Sequence, residues 1–195
     1  MNAQSDPAVL AVGPATPAGP QTLVAALARN AGDEPSRVGF REREFGIWRE
    51  WCWREVLDEV LALAAGFEAL GLNPDEALIV IGDNRARLYF AMLAAMALRA
   101  FPAPLFPDTP VEELTHFTRH GTPRLALAED QEQVDKLIAL RERTGRPEII
   151  VYDHPRGIAA YEADGLMPLD EVFARGRRLL AEIPGRREEL VARAG

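Results

Sequence analysis

Residues 77–106 read ALIVIGDNRARLYFAMLAAMALRAFPAPLF, and this stretch decides the fold. Ala77–Ile81 is a short, continuous apolar run, which is typical of a strand in a parallel sheet with both faces covered. Gly82-Asp83-Asn84 then turns the chain, and Asp83 or Asn84 can cap the helix that we predict over Arg85–Arg99. That helix is apolar almost all round, so we expect it deep in the core.

Strands and helices continue to alternate after this stretch. Phe101–Phe106 is predicted as a strand, and Pro102 and Pro104 place it at a sheet edge or in an irregular segment. Two further strands are predicted, over Arg124–Ala128 and Glu148–Tyr152. Three further helices are predicted, over Gln131–Arg143, Leu169–Leu180 and Arg186–Ala194. This alternation predicts an α/β fold, with a mostly parallel sheet and helices on both of its faces.

A β-hairpin precedes the sheet. Val38–Arg43 and Ile47–Trp53 are predicted as its strands, around a turn at Glu44-Phe45-Gly46. Three tryptophans lie in or beside the second strand, and large rings at such positions usually pack across strand pairs. An amphipathic helix over Arg54–Leu70 follows, and a shorter helix from Thr22 through Asn30 comes before the hairpin.

Composition excludes several classes of function. Lys+Arg 22 against Asp+Glu 30 gives a net charge of −8, which argues against a nucleic-acid or anionic-membrane surface. Cys52 is the single cysteine, so one chain can form neither a disulfide nor a cysteine metal cluster. The N-terminus lacks the pattern of a secretory signal, and the apolar run Leu88–Leu98 is too short to cross a bilayer. We therefore expect a cytoplasmic protein without a transmembrane segment.

A search for catalytic motifs finds none. Lys136, the single lysine, does not follow a glycine-rich phosphate loop, and the turn in Ile79–Arg87 has one glycine only. The start of the helix after that turn could meet an anion, but structural capping is the favoured interpretation. Cys52 is expected to pack among the tryptophans of its strand, and His116 and His120, at i,i+4 spacing, are expected to be solvated. We therefore assign no catalytic residue and no metal ligand.

Five segments, in this order, carry a resemblance to a known family: FREREFGIWREWCWREV at 40–56, IVIGDNRARLY at 79–89, APLFPDTPVEEL at 103–114, AEDQEQVDKL at 128–137 and IVYDHPRG at 150–157. Together they resemble the N-terminal part of AMP-forming long-chain acyl-CoA synthetases, in the adenylate-forming ligase superfamily. Members of this family usually have a glycine-containing turn where this chain has Arg99-Ala100-Phe101.

The resemblance implies an ATP-dependent ligase that needs ATP, Mg and coenzyme A. A fatty acid and ATP give an acyl-adenylate and pyrophosphate, and the thiol of coenzyme A then displaces AMP. The family's Ser/Thr/Gly-rich phosphate loop, adenine segment, ribose-binding aspartate and catalytic lysine come later and have no counterpart here. The resemblance therefore implies an incomplete large domain that binds none of these cofactors tightly and is not competent alone. The resemblance implies Phe106 and Asp108 as candidate residues near the coenzyme A entrance. Packing and helix capping explain these two residues about equally well.

The resemblance also suggests a division of the chain. We expect a disordered lead over residues 1–20, a truncated N-terminal subdomain of an AMP-binding synthetase over 21–175 and a helical, arginine-rich tail over 176–195. A solvated helix face explains the arginines of the tail, and a docking surface for the rest of a larger enzyme is the alternative.

Three hypotheses remain open for the whole chain. The first is the N-terminal piece of a long-chain ligase, whose partners would be the remainder of the ligase and a fatty acid. The second is a non-catalytic α/β module with covered sheet edges, and the third is one chain of a split ligase. A sheet interrupted within its domain would expose an edge and favour aggregation, which separates the first hypothesis from the second.

Overall fold

Helices and strands alternate along the chain as the apolar pattern predicts. The computed structural model describes residues 22–118, 121 and 123–194, so the lead predicted over residues 1–20 lies outside them. In chain order the elements are α1 Leu23–Asp33, β1 Val38–Glu44, β2 Ile47–Cys52, α2 Trp53–Ala69, β3 Ala77–Ile81, α3 Ala86–Ala97, β4 Phe101–Leu105, α4 Val111–Thr118, β5 Leu125–Ala128, α5 Gln131–Thr144, β6 Ile149–Tyr152, β7 Leu166–Pro168, α6 Leu169–Glu182 and α7 Arg186–Arg193.

Five parallel strands form the main sheet, in the order β4-β3-β5-β6-β7. One apolar core lies between a sheet face and α1, α2, α3, α6 and α7, and a second lies between the other face and α4 and α5. The α/β prediction is therefore confirmed, and so is the edge position of β4. The strand β7 was not predicted, because a run of three residues carries no periodicity.

The antiparallel pair β1 and β2 forms the predicted hairpin, apart from the main sheet. Its aromatic residues divide into two groups. Phe40 and Trp51 pack edge-to-face against Phe90 of α3, with ring centroids 5.2 Å and 5.7 Å away. Trp48, in contrast, is 58% exposed. Packing therefore explains Trp51 but not Trp48.

Two glycines allow α2 and α6 to approach closely. A Cβ atom added at Gly176 would lie 1.8 Å from the carbonyl oxygen of Ala62, and one added at Gly66 would lie 2.5 Å from that of Val172. Because the obstructing atoms belong to the backbone, no side-chain rotation could relieve either collision. This crossing fixes α6 on the core.

The arginine-rich C-terminal segment binds an acidic face of α2. Arg177 contacts Glu59 at 2.7 Å, and Arg193 contacts Glu68 at 2.8 Å. Arg186 also pairs with Glu68, and Arg187 pairs with Asp58. These four arginines therefore have partners within the chain.

Arg99, at the end of α3, has a φ of +63°. This left-handed conformation is the one that glycine adopts without steric cost. The position is the one where the resemblance implies a glycine-containing turn, and in this chain an arginine adopts the left-handed conformation there.

Candidate functional site

The carboxyl ends of β3 and β5 flank a crevice at the middle of the sheet. From β3 the chain passes through α3 on one face, whereas from β5 it passes through α5 on the other. In open α/β sheets, ligands bind preferentially at such a reversal of strand order. This crevice is therefore the candidate binding site.

Glu129, directly after β5, fills the crevice. Its carboxylate accepts hydrogen bonds from the Asp83 backbone N–H and, at 2.8 Å, from Arg85 Nε. Gly82 makes room for it, because a Cβ at this position would lie 2.5 Å from the Glu129 Cβ. The φ of Gly82 is +154°, which also disfavours any side chain there. A side chain of the protein thus occupies the place where a ligand would enter.

Glu42 reaches the same place from the hairpin. One of its oxygens accepts a hydrogen bond from the Ala86 N–H at 2.9 Å, and the other accepts from Arg85 Nη1 at 3.1 Å. The prediction that Asp83 or Asn84 caps α3 is wrong: Arg85 is the N-cap residue without a capping side chain of its own. The cap comes instead from a residue more than forty positions earlier, whose negative charge suits the positive end of the helix.

Arg87 joins two further carboxylates beside the crevice. Its Nη1 lies 2.8 Å from Asp153 Oδ1, its Nη2 contacts Asp170, and its guanidinium lies 5.0 Å from the ring centre of Phe173. Burial raises the pKa of the Asp153 carboxyl, and the attraction of Arg87 opposes this effect. For Arg85 the cause is different: the hydrogen bond to Glu129 raises the pKa of the guanidinium above its ordinary value, and burial opposes this effect.

The raised pKa of Asp153 predicts a pH effect on stability. As pH falls through the pKa of the folded state, the folded protein binds a proton before the unfolded chain does, and the cost of the buried charge disappears. We therefore expect the wild-type protein to gain stability relative to Asp153→Asn between neutral pH and the ordinary Asp pKa, with the gain complete below that value. Urea unfolding at several pH values measures this difference. The exposed Asp33→Asn serves as control, and parallel pH profiles for wild type and Asp153→Asn would contradict the assignment.

A cavity of about 210 Å³ opens above these ion pairs, between the hairpin and the sheet. Its lining carries five carboxylates and three arginines: Glu42, Glu44, Glu129, Asp153, Asp170, Arg49, Arg85 and Arg87. Arg85 and Arg87 are already paired with carboxylates, and the five carboxylates outnumber the three arginines, so the charge of the lining disfavours a phosphate. The arrangement does not fit Mg·ATP. It holds the hairpin against the sheet.

The two candidate residues near the coenzyme A entrance lie after β4. Phe106 is 80% exposed and borders an apolar cavity of about 380 Å³, together with Leu88, Tyr89 and Met92. Asp108 is exposed in the turn before α4 and does not line that cavity. The structure thus places Phe106 beside a cavity but does not bring Asp108 into it.

The other residues considered from the sequence lie away from the crevice. His116 lies in α4, while His120 lies outside the described residues. Cys52 is half-buried at the start of α2, where its backbone N–H donates to Glu55 at 2.8 Å. Within the described residues, no group of three or more His, Cys, Asp or Glu side chains could hold a metal ion. Nor is any described helix both long and apolar enough to span a membrane.

In the sequence Asp83 was considered only as a helix cap, and Glu129 and Asp153 were missed, although a signal for all three exists. Asp83, Glu129 and Asp153 each follow the end of a buried parallel strand within two residues. Because the carboxyl ends of parallel strands lie at one edge of a sheet, acidic residues in these positions must lie close together. Glu42 gave no such signal, since it comes from the separate hairpin.

Comparison with known proteins identifies the family. The profile of the AMP-binding enzyme family matches residues 27–172. The hybrid PKS-NRPS synthetase mycA of Thermothelomyces thermophilus is 29% identical over 111 residues, covering 57% of this chain and 3% of that protein.

Two solved structures show the shared fold. Acetoacetyl-CoA synthetase from Streptomyces lividans superposes with a TM-score of 0.69 at 18% identity, over 78% of this chain and 25% of that one. A Rhodopseudomonas palustris protein named for long-chain-fatty-acid CoA ligase activity superposes with a TM-score of 0.65 at 18% identity, over 77% of this chain and 36% of that one. This chain thus spans about a quarter to a third of these structures. With the family profile matched over most of its length, the chain belongs to the AMP-binding enzyme family.

Proposed function

We propose that the chain is the N-terminal scaffold of an ATP-dependent ligase that joins long-chain fatty acids to coenzyme A, and that it does not form an acyl-adenylate alone. One observation carries the proposal: the crevice where an α/β sheet would bind its ligand is filled by Glu42 and Glu129. The chain thus has the family's fold, but the N-terminus of α3 and Arg85 are occupied by the chain's own carboxylates.

The filled crevice gives the chain a structural role in such an enzyme. Adenylation requires donors that stabilise the charge developing on the phosphate in the transition state. Here the Ala86 N–H and Arg85 are used to fix the hairpin to the sheet. In the proposed enzyme, ATP, Mg and coenzyme A bind to the remaining part of the ligase.

The assignment of a long-chain fatty acid as substrate and of coenzyme A as acceptor rests on the five segments that resemble long-chain acyl-CoA synthetases. Two of the similar structures are named for joining acids to coenzyme A, which supports the same class of reaction for a complete protein. Long-chain specificity is supported by the resemblance and by the name of one of these proteins.

The DNA that follows this coding region provides the test. We expect it to encode a Ser/Thr/Gly-rich loop, either in the same frame or in a separate gene. The complete or co-expressed protein should then catalyse ATP–pyrophosphate exchange with palmitate and form palmitoyl-CoA. Acetate and benzoate serve as competing acids. Exchange with acetate but not palmitate would disprove the long-chain assignment, and no exchange with any acid would disprove the ligase proposal.

A further inference from the structure

The hairpin has an inner face and an outer face, because side chains alternate along each of its strands. Phe40 and Trp51 lie opposite each other in the register, and both rings pack against α3 on the inner face. Arg43 and Trp48 form another such pair, an odd number of positions further along and therefore on the outer face. Arg41 and Arg43 are exposed, whereas Phe40 is half-buried. The exposed Trp48 thus lies on the outer face together with two arginines.

The guanidinium groups of both arginines lie near the Trp48 ring. The central carbon of the guanidinium is 5.8 Å from the ring centre in Arg41 and 6.0 Å in Arg43, which is the range of a cation–π contact. Arg41 also binds Glu50, at an N–O distance of 2.7 Å. Arg43, in contrast, forms no ion pair with a carboxylate of the described residues. Because a guanidinium held over a ring keeps the N–H donors at its edge, Arg43 presents donors that no such carboxylate occupies.

These side chains border a cavity of about 580 Å³ between the hairpin and the start of α3. Tyr89 of α3, which is 39% exposed, lines it as well. The lining carries three arginines against two carboxylates: Arg41, Arg43, Arg85, Glu42 and Asp83. The crevice cavity has the opposite balance, and so does the whole chain, whose net charge is −8. A positive region with two exposed rings is thus present on an acidic protein.

We infer that this cavity binds an aromatic anion, that is, a flat ring that carries a phosphate or carboxylate group. Arg43 holds the anionic group, because a guanidinium can bind two oxygens of such a group at once. The rings of Trp48 and Tyr89 contact the flat ring of the ligand, since aromatic rings attract one another. The volume of the cavity is in the range of sites for small organic molecules. This site lies outside the crevice, and the inference does not rest on the proposed function.

A titration of the full chain with naphthyl phosphate, followed by ligand-observed NMR, tests the inference. Naphthol has the ring without the anion, and inorganic phosphate has the anion without the ring. We expect each of them to bind at least about tenfold more weakly than naphthyl phosphate, because each lacks one of the two contacts. Naphthoate presents a carboxylate in place of the phosphate, and its affinity relative to naphthyl phosphate shows which of the two groups the site prefers.

Two substitutions locate the site on the chain. Arg43→Gln removes the unpaired charge and should weaken binding of the naphthyl anions by about tenfold. Trp48→Leu removes an exposed ring and should weaken it by about three- to tenfold. Arg37→Gln is the matched control, because Arg37 is also exposed but does not line the cavity, and it should leave the affinity unchanged. Cooperative urea unfolding checks that each variant folds.

Two results would overturn the inference. The first is that neither naphthyl anion binds more tightly than naphthol and inorganic phosphate. The second is that Arg43→Gln binds the naphthyl anions as tightly as the wild type, or no more weakly than Arg37→Gln does. Neither result bears on ligase activity, which the exchange assay measures separately.

Discussion

Gly176→Ala is expected to destabilise the protein by about 2–3 kcal/mol, since the added methyl group would force two helix backbones apart in a packed core. Its Cβ would lie 1.8 Å from the Ala62 carbonyl oxygen and 2.7 Å from the carbonyl carbon. Alanine favours a helix over glycine by about 1 kcal/mol, so the collision must exceed that gain. Urea unfolding of the wild type and the variant measures the difference.

Gly32→Ala is the matched control for this substitution. Gly32 also lies in a helix, α1, but a Cβ there would meet nothing within 4 Å. The control should therefore be neutral or stabilising by up to about 1 kcal/mol. If Gly176→Ala were as stable as Gly32→Ala, α2 and α6 would not cross at the distance described above.

Arg85→Met is the second substitution with a large expected effect, a loss of about 2–4 kcal/mol, because it leaves two partly buried carboxylates without their partner. The side chains of Glu42 and Glu129 are only 16% and 14% exposed. Methionine retains the apolar stem of arginine and removes its charge. Thermal and urea unfolding at neutral pH measure the loss.

A double-mutant cycle separates lost pairing from lost packing. Adding Glu129→Gln to Arg85→Met removes the charge of one of the two unpaired carboxylates and should recover part of the lost stability. In contrast, Arg37→Met breaks an exposed pair with Glu34, whose side chains are 68% and 51% exposed, and should cost no more than about 0.5 kcal/mol. A double variant no more stable than Arg85→Met would show that the carboxylates do not depend on Arg85.

Local patterns were sufficient to predict most of the fold. The apolar run Ala77–Ile81 identified a parallel strand with both faces covered, and the prolines of β4 indicated a sheet edge or an irregular segment, of which the edge is observed. Helix α2 begins one residue before its prediction and ends one residue early, as expected where helix ends fray. These features are encoded by neighbouring residues, and periodicity therefore reveals them.

The candidate site was less accessible to prediction, because its contacts join distant parts of the chain. Glu42 caps α3 from the hairpin, and Glu129 reaches Arg85 across the crevice. Asp83 and Asn84 are good capping residues by local rules, but tertiary contacts placed the capping carboxylate elsewhere. Recognising such a cap requires the position of the hairpin relative to the sheet, which no local pattern contains.

The hairpin consequently has a structural role. Through Glu42 it holds the start of α3, and through Phe40 and Trp51 it packs against the same helix. The arginines of α6 and α7 pair with acidic residues of α2, which packs in the same core as α3. These polar groups thus serve mainly to join elements of the scaffold.

We propose that this scaffold does not perform the family's chemistry alone. ATP–pyrophosphate exchange by the purified 195-residue chain, with Mg²⁺ and palmitate, tests it most directly. The predicted result is the same background rate with and without palmitate. Exchange that depends on palmitate and rises in proportion to the concentration of this chain would contradict the claim.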